Sequence, residues 1–224
     1  METRQSSSNK EVGARRAAAA CIGPNAVLQT LRALRELEIP DATRRIVDQA
    51  YIPDPLPHGM IPEAWFVRLV GALRDTLPPA RVEAVLRRSG RYTAEYVGAH
   101  RIPLAFRGVL AVLPARAAIP LLLGAFRRHA WTFAGGGRFD VTGPFPGTLV
   151  LAGCPTCRDR ARPAVAGCGA YYEAAFEGLL ALAAPRARVV ETACMATGAP
   201  SCRFQISLHP LAESSPGDPP CASS

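Results

Sequence analysis

Residues 168–206 read CGAYYEAAFEGLLALAAPRARVVETACMATGAPSCRFQI, and the change of period inside this stretch decides the fold class. Its first half sets Tyr172, Phe176, Leu179 and Ala183 at three- and four-residue intervals, which is the stripe of one amphipathic helix. The second half reads as two strands, ARVVETAC and CRFQISL, joined by MATGAPS with Gly198 and Pro200 at the turn. A helix followed by such a hairpin predicts a small antiparallel sheet with a helix packed on it, that is, an α+β unit.

The hairpin also concentrates chemistry. It brings Cys194 next to Cys202 although seven residues separate them, and Glu191 precedes Cys194 by three positions on the incoming strand. Positions three apart on a plain strand face opposite sides, so a shared ligand requires a bulge or turn near Ala193. A fourth donor is available at Cys168, or at Cys154 and Cys157 of the CPTC segment. Zinc favours tetrahedral thiolate-rich sets of this kind. The spacing alone equally allows buried thiols that merely pack, or a redox pair.

Outward from this segment, GTLVLAG reads as a strand, and WTFAGGGRFDVTG as two short strands around Gly135 to Gly137. Before them the periodicity is helical. Val27, Leu28, Leu31 and Leu34 share a face between Pro24 and Pro40, and a second helix opens with Asp41 as its cap. The proline-rich YIPDPLPHGMIP is a loop that holds His58, and a helix follows from Pro62. Shorter helices are predicted at Pro79 to Arg88, Thr93 to Ala99, Pro103 to Leu113 and Ile119 to His129. The expected organisation is a disordered tail over 1–20, a mainly helical part over 21–130, an α+β part over 131–210 and a polar, proline-rich tail over 211–224.

Composition narrows the function classes. The 224 residues, 49% hydrophobic, suffice for one substantial core. The longest apolar run, AAIPLLLGAF, falls short of the ~20 residues needed to span a bilayer. The amino-terminal stretch lacks the apolar centre of a signal peptide, so the expectation is a cytoplasmic protein whose seven cysteines serve metal or redox chemistry rather than disulfides. The net charge of +8 comes almost wholly from arginine, Lys10 being the sole lysine. Arginine holds carboxylates and phosphates through paired hydrogen bonds. No recognition helix or aromatic-basic motif points to nucleic acid, which leaves acidic small molecules or anionic membrane surfaces, and with them peripheral membrane association.

The pattern E-x2-C-x7-C-x-F-x-I from Glu191 to Ile206, preceded by Cys168 and a helix, resembles the vinyl-4-reductase domain. That small ligand-binding unit occurs in bacteriochlorophyll biosynthesis and in the sensor halves of phenol-responsive bacterial activators. Upstream, IGPNAVLQTL, GMIPEAWF, RYTAEYVGAHRIP and RRHAWTFAGGGRF are similar to the bacteriochlorophyll 4-vinyl reductase family of photosynthetic bacteria, so the likeness spans about residues 21 to 208. The resemblance implies a structural zinc held by Cys168, Glu191, Cys194 and Cys202, an α+β fold that often dimerises as a homodimer, and a place among the enzymes of the bacteriochlorophyll pathway. It leaves Cys154 and Cys157 unassigned. With no activator ATPase or DNA-binding segment, a ligand-sensing regulator is the least favoured reading.

The family name implies reduction of a ring vinyl group, which needs a source of hydride or electrons. The sequence holds no G-x-G-x-x-G after a strand and no flavin or iron–sulfur fingerprint, so such an enzyme would draw on an external reductant. A closed four-ligand zinc would not itself do the chemistry. The favoured expectation is therefore a carrier of a magnesium tetrapyrrole, a magnesium porphyrin or chlorophyllide precursor. Arg91, Arg101, Arg127, Arg128 and Arg138 are the candidates for its propionates, His129 or His100 for an axial ligand, and Trp131, Phe133, Tyr92 and Tyr96 for the pocket wall. Each has a plainer alternative, His129 as a helix-end cap and the aromatics as core.

Overall fold

Proline sets the starts of the helices. The residue immediately before the helix is Pro24, Pro62, Pro78, Pro103 or Pro114 in five cases, none with a side-chain cap. The ring fixes φ near the value that the first turn needs, and the missing N–H costs nothing where no intrahelical acceptor exists. The computed structural model describes residues 20–37, 40–157 and 169–208. Both expected tails apart from Ala20, together with Cys168, His209 and Cys221, lie outside the described residues.

The chain begins with strand β1 (Cys21–Ile22), α1 (Asn25–Glu36), α2 (Pro40–Ala50) and β2 (Ile61–Pro62), β1 and β2 pairing antiparallel. Then come α3 (Glu63–Thr76), α4 (Pro79–His100), α5 (Leu104–Val112), α6 (Ala115–Arg128) and the single turn α7 (Trp131–Ala134). The last part holds β3 (Arg138–Thr142), β4 (Thr148–Ala152), a 3₁₀ turn at Pro155–Cys157, α8 (Ala170–Leu180), β5 (Arg188–Ala193), a 3₁₀ turn at Met195–Thr197 and β6 (Cys202–Ser207). The sheet order is β3-β4-β6-β5, antiparallel throughout. The architecture is the expected α+β one, helices first and a small antiparallel sheet after.

Three local expectations need correction. Residues 79–100 form one helix rather than two, because Gly90 is a packing residue and not a breaker. A side chain there would run into the Tyr171 carbonyl and stand 3.0 Å from Ala174 Cβ. Ala94 likewise faces Gly178, where an added Cβ would approach to 2.6 Å, so α4 and α8 lie nearly backbone to backbone through small residues. Second, residues 131–134 are helical, not a strand. Their β-like composition is overridden by continuation of α6 through a tight turn, after which Gly135 reverses the chain at φ +57°. The hairpin partner of β3 is therefore β4, across Gly143 to Gly147. Third, α2 opens at Pro40 with Asp41 in its first turn, where a carboxylate still meets the positive end of the dipole.

One core runs through the helical and the sheet parts. On β6, Cys202, Phe204 and Ile206 are buried in alternation with exposed Arg203 and Gln205, the period of two that seats one face of a sheet. Tyr172, Phe176, Phe133, Phe139 and Phe204 form an aromatic cluster with centroid separations of 5.1–6.2 Å. The Tyr172 hydroxyl donates to the Phe133 carbonyl at 2.9 Å, satisfying the one polar atom this ring would otherwise bury.

Candidate metal centre

The site lies where the 3₁₀ turn after β4 meets the β5–β6 hairpin. Glu191 of β5 is opposite Phe204 of β6 and Ala193 opposite Arg203, so β5 takes two steps while β6 takes one, and Thr192 is the extra residue of a bulge. The bulge reverses the alternation that would have sent Glu191 and Cys194 to opposite faces. It occurs at the place the spacing required. Gly169, just before α8, makes room for the carboxylate: a Cβ there would lie 2.6 Å from Glu191 Cδ and Oε2. The backbone N–H of Glu191 donates to Glu173 Oε1 at 2.7 Å, and Glu173 also accepts from Arg87 at 2.9 Å, which ties β5 to α8 and α4.

Ligand atoms of Cys157, Glu191, Cys194 and Cys202 all lie within 4.8 Å of one another. Cys157 Sγ is 3.5 Å from the sulfurs of both Cys194 and Cys202. That is too long for a disulfide of about 2 Å and close to the edge of about 3.8 Å that a tetrahedral zinc with bonds of about 2.3 Å imposes on its thiolates. The Met195 N–H points at Cys202 Sγ from 3.4 Å, a donor suited to a thiolate. The Met195 thioether in turn accepts the N–H groups of Gly153 and Cys154 at 3.2 and 3.4 Å, holding the CPTC turn against the hairpin. Cys154 is fully buried beside the cluster, its sulfur 3.1 Å from Thr156 Oγ1.

The protons report what this crowding costs. Burial first, and the adjoining Cys194 second, push Glu191 up to about 8. Its Oε1 is buried without a hydrogen-bond partner. Burial raises the Cys154 thiol, and the neighbouring Cys154 raises that of Cys202. Three soft donors, one hard donor and an orphaned carboxylate oxygen fit a thiophilic divalent cation, whose charge would remove the penalty of ionising them together. Four protein donors are the number that would close a tetrahedral shell.

Of the four ligands expected from sequence, Glu191, Cys194 and Cys202 are brought together, while Cys168 lies outside the described residues. Cys157, which the resemblance left unassigned, is the fourth member of the group. Its C-x2-C spacing with Cys154 was the available signal. Nothing in the sequence marked Met195 or Gly169.

The expected pigment residues fall into two neighbourhoods. Half-buried Tyr92 and Tyr96 and exposed His100 and Arg101 belong to the carboxyl-terminal half of α4 and its cap. His100 stacks on Tyr96 with centroids 4.6 Å apart, and Arg101 lies 5.9 Å from the Tyr96 ring centre. Tyr92 donates to Glu36 beneath the Arg32 guanidinium, 3.8 Å above its ring. Arg91 is exposed on the same helix. Exposed Arg128, His129 and Trp131 sit at the α6–α7 junction, with His129 capping α6 through its backbone. Phe133 is half-buried, its ring packed against Phe139 and Phe176. Arg127 is held by Asp140 at 2.9 Å, and Arg138 is exposed at the start of β3.

Fold and site define an α+β protein with a partly buried cysteine–carboxylate cluster able to hold a metal. No family model matches the chain. Two relatives are called bacteriochlorophyll synthase 23 kDa chain. The one from Cereibacter sphaeroides is 38% identical over 83% of this chain and 89% of that protein. The one from Rhodobacter capsulatus is 36% identical over 84% of this chain and 87% of that protein. The chain belongs to the family of these bacteriochlorophyll synthase 23 kDa chains. An H-NOX protein from S. oneidensis, solved in the Fe(II)NO ligation state, aligns over 84% of this chain and 99% of its own at a TM-score of 0.48 and 13% identity, a likeness too loose to transfer fold or ligand.

Proposed function

We propose that the protein is an accessory of bacteriochlorophyll synthesis that binds a magnesium tetrapyrrole intermediate and presents it to enzymes of the pathway. The observation that carries this reading is the identity of more than a third over most of the chain with two proteins named as chains of bacteriochlorophyll synthase. The zinc-type cluster is its structural staple, with Glu191, Cys194 and Cys202 as ligands and Cys157 or Cys168 completing the set.

The residues at the end of α4 suit a flat, carboxylate-bearing ligand. A carbonyl oxygen can only accept, so in the neutral ring the 3.1 Å contact of His100 Nδ1 with the Tyr96 carbonyl calls for the Nδ1–H tautomer. That leaves the lone pair on Nε2, the form an axial donor needs. Arg101 stands next in sequence for a propionate. His100 is thus better prepared than His129.

Titration of the purified protein with divinyl and monovinyl magnesium porphyrins should shift their absorption bands, and His100→Ala should weaken the shift while His129→Ala does not. Absence of any shift with the native protein would sink the proposal. Loss of the vinyl group on adding NADPH, with or without cell extract, would replace the carrier by a vinyl reductase using an external reductant.

A further inference from the structure

From Tyr96 to Phe139 the sequence contains six arginines and no aspartate, glutamate or lysine. Within that interval α5 is turned inside out relative to an ordinary surface helix. Its exposed residues are Leu104, Ala105, Gly108, Val109, Ala111 and Val112, all apolar. At roughly 100° per residue these six occupy one contiguous arc, while Phe106, Arg107 and Leu110 take the inner side. The most open of its large side chains are the first and last of the helix, Leu104 at 76% and Val112 at 82% exposure. The next helix, α6, also exposes Pro120, Leu121 and Gly124. Soluble proteins seldom leave a contiguous apolar surface of this kind unless something covers it.

Charge indicates what covers it. Exposed Arg101, Arg116 and Arg128 flank the apolar residues, and only Arg127 has an acidic partner, Asp140, among the ion pairs of the described arginines in this interval. A second copy of the chain would bring the same predominantly cationic surface against itself. A bilayer with anionic headgroups offers the complement: a negative layer for guanidinium groups and, a few ångströms deeper, an apolar one for Leu104 and Val112. A nine-residue helix is about 14 Å long, far short of the ~30 Å hydrocarbon core, so it can only lie in the interface. Among the described residues no helix is long and apolar enough to cross a membrane.

We propose that α5, with the arginines around it, docks the protein on an anionic lipid surface. This does not depend on the pigment reading, and the tests separate the two. The full chain is sedimented with vesicles of phosphatidylcholine alone or mixed in equal parts with phosphatidylglycerol. Binding is expected to the mixed vesicles only, with release at 1 M salt, where screening acts within about 3 Å. Arg116→Gln should weaken partition about fivefold, and the double variant Leu104→Ser/Val112→Ser at least tenfold. All three positions are exposed, so the thermal midpoint and the porphyrin titration should match the native protein. Equal binding to both kinds of vesicle, or native binding by the double variant, would overturn the proposal. So would a double variant that only turns a dimer into a monomer in light scattering, which would make the arc a self-interface.

Discussion

Glu191 shows how one residue is shaped by its neighbours. Its carboxyl is raised by burial from 4.5 to about 8, so between those values the unfolded chain has released a proton that the metal-free folded protein retains. Stability of the metal-free protein should therefore fall as pH rises across that window, and Glu191→Gln should flatten the slope in urea titrations. With zinc present the dependence should reverse, because the ligands must shed protons to bind it. Cys194→Ser should retain clearly less than a full zinc equivalent by metal analysis; full retention would remove Cys194 from the site. Comparing Cys157→Ser with Cys168→Ser identifies the remaining ligand, since only loss of a true ligand should abolish tight binding.

At the scale of elements, the α4–α8 contact and the β5 bulge matter most. Gly90→Ala must push a methyl into the Tyr171 backbone, where a rigid helix cannot yield as a side-chain tip would. The expected loss is about 1–3 kcal/mol, read as a lower denaturant midpoint at unchanged slope. An unchanged midpoint would mean that the helices can separate without penalty. The hairpin was legible from its turn residues and alternating strands. The need for a bulge near Ala193 was legible too, because Glu191 and Cys194 differ by an odd number of positions. The continuity of α4 was not, because a mid-helix glycine looks the same in sequence whether it breaks a helix or admits a neighbour.

For the whole molecule, the cluster joins segments distant in sequence, the turn after β4 and the final hairpin, across the single core. Treating the zinc-loaded protein with a strong chelator should lower its thermal midpoint by about 10 °C, a few kcal/mol for a chain of this size. An unchanged midpoint after verified metal removal would show that the core holds the hairpin unaided.

By itself the sequence determined the α+β order, the hairpin, the grouping of Glu191, Cys194 and Cys202, and the absence of an apolar run long enough to span a bilayer. All of these depend on spacing and composition within short windows, where 3.6- and 2-residue periods and turn residues act locally. Only the tertiary structure brought Cys157 to the cluster, seated Gly90 against the Tyr171 backbone and left the apolar arc of α5 exposed. Each of these is a contact, or the lack of one, between segments far apart in the chain, and no local pattern encodes which distant surface a side chain will meet.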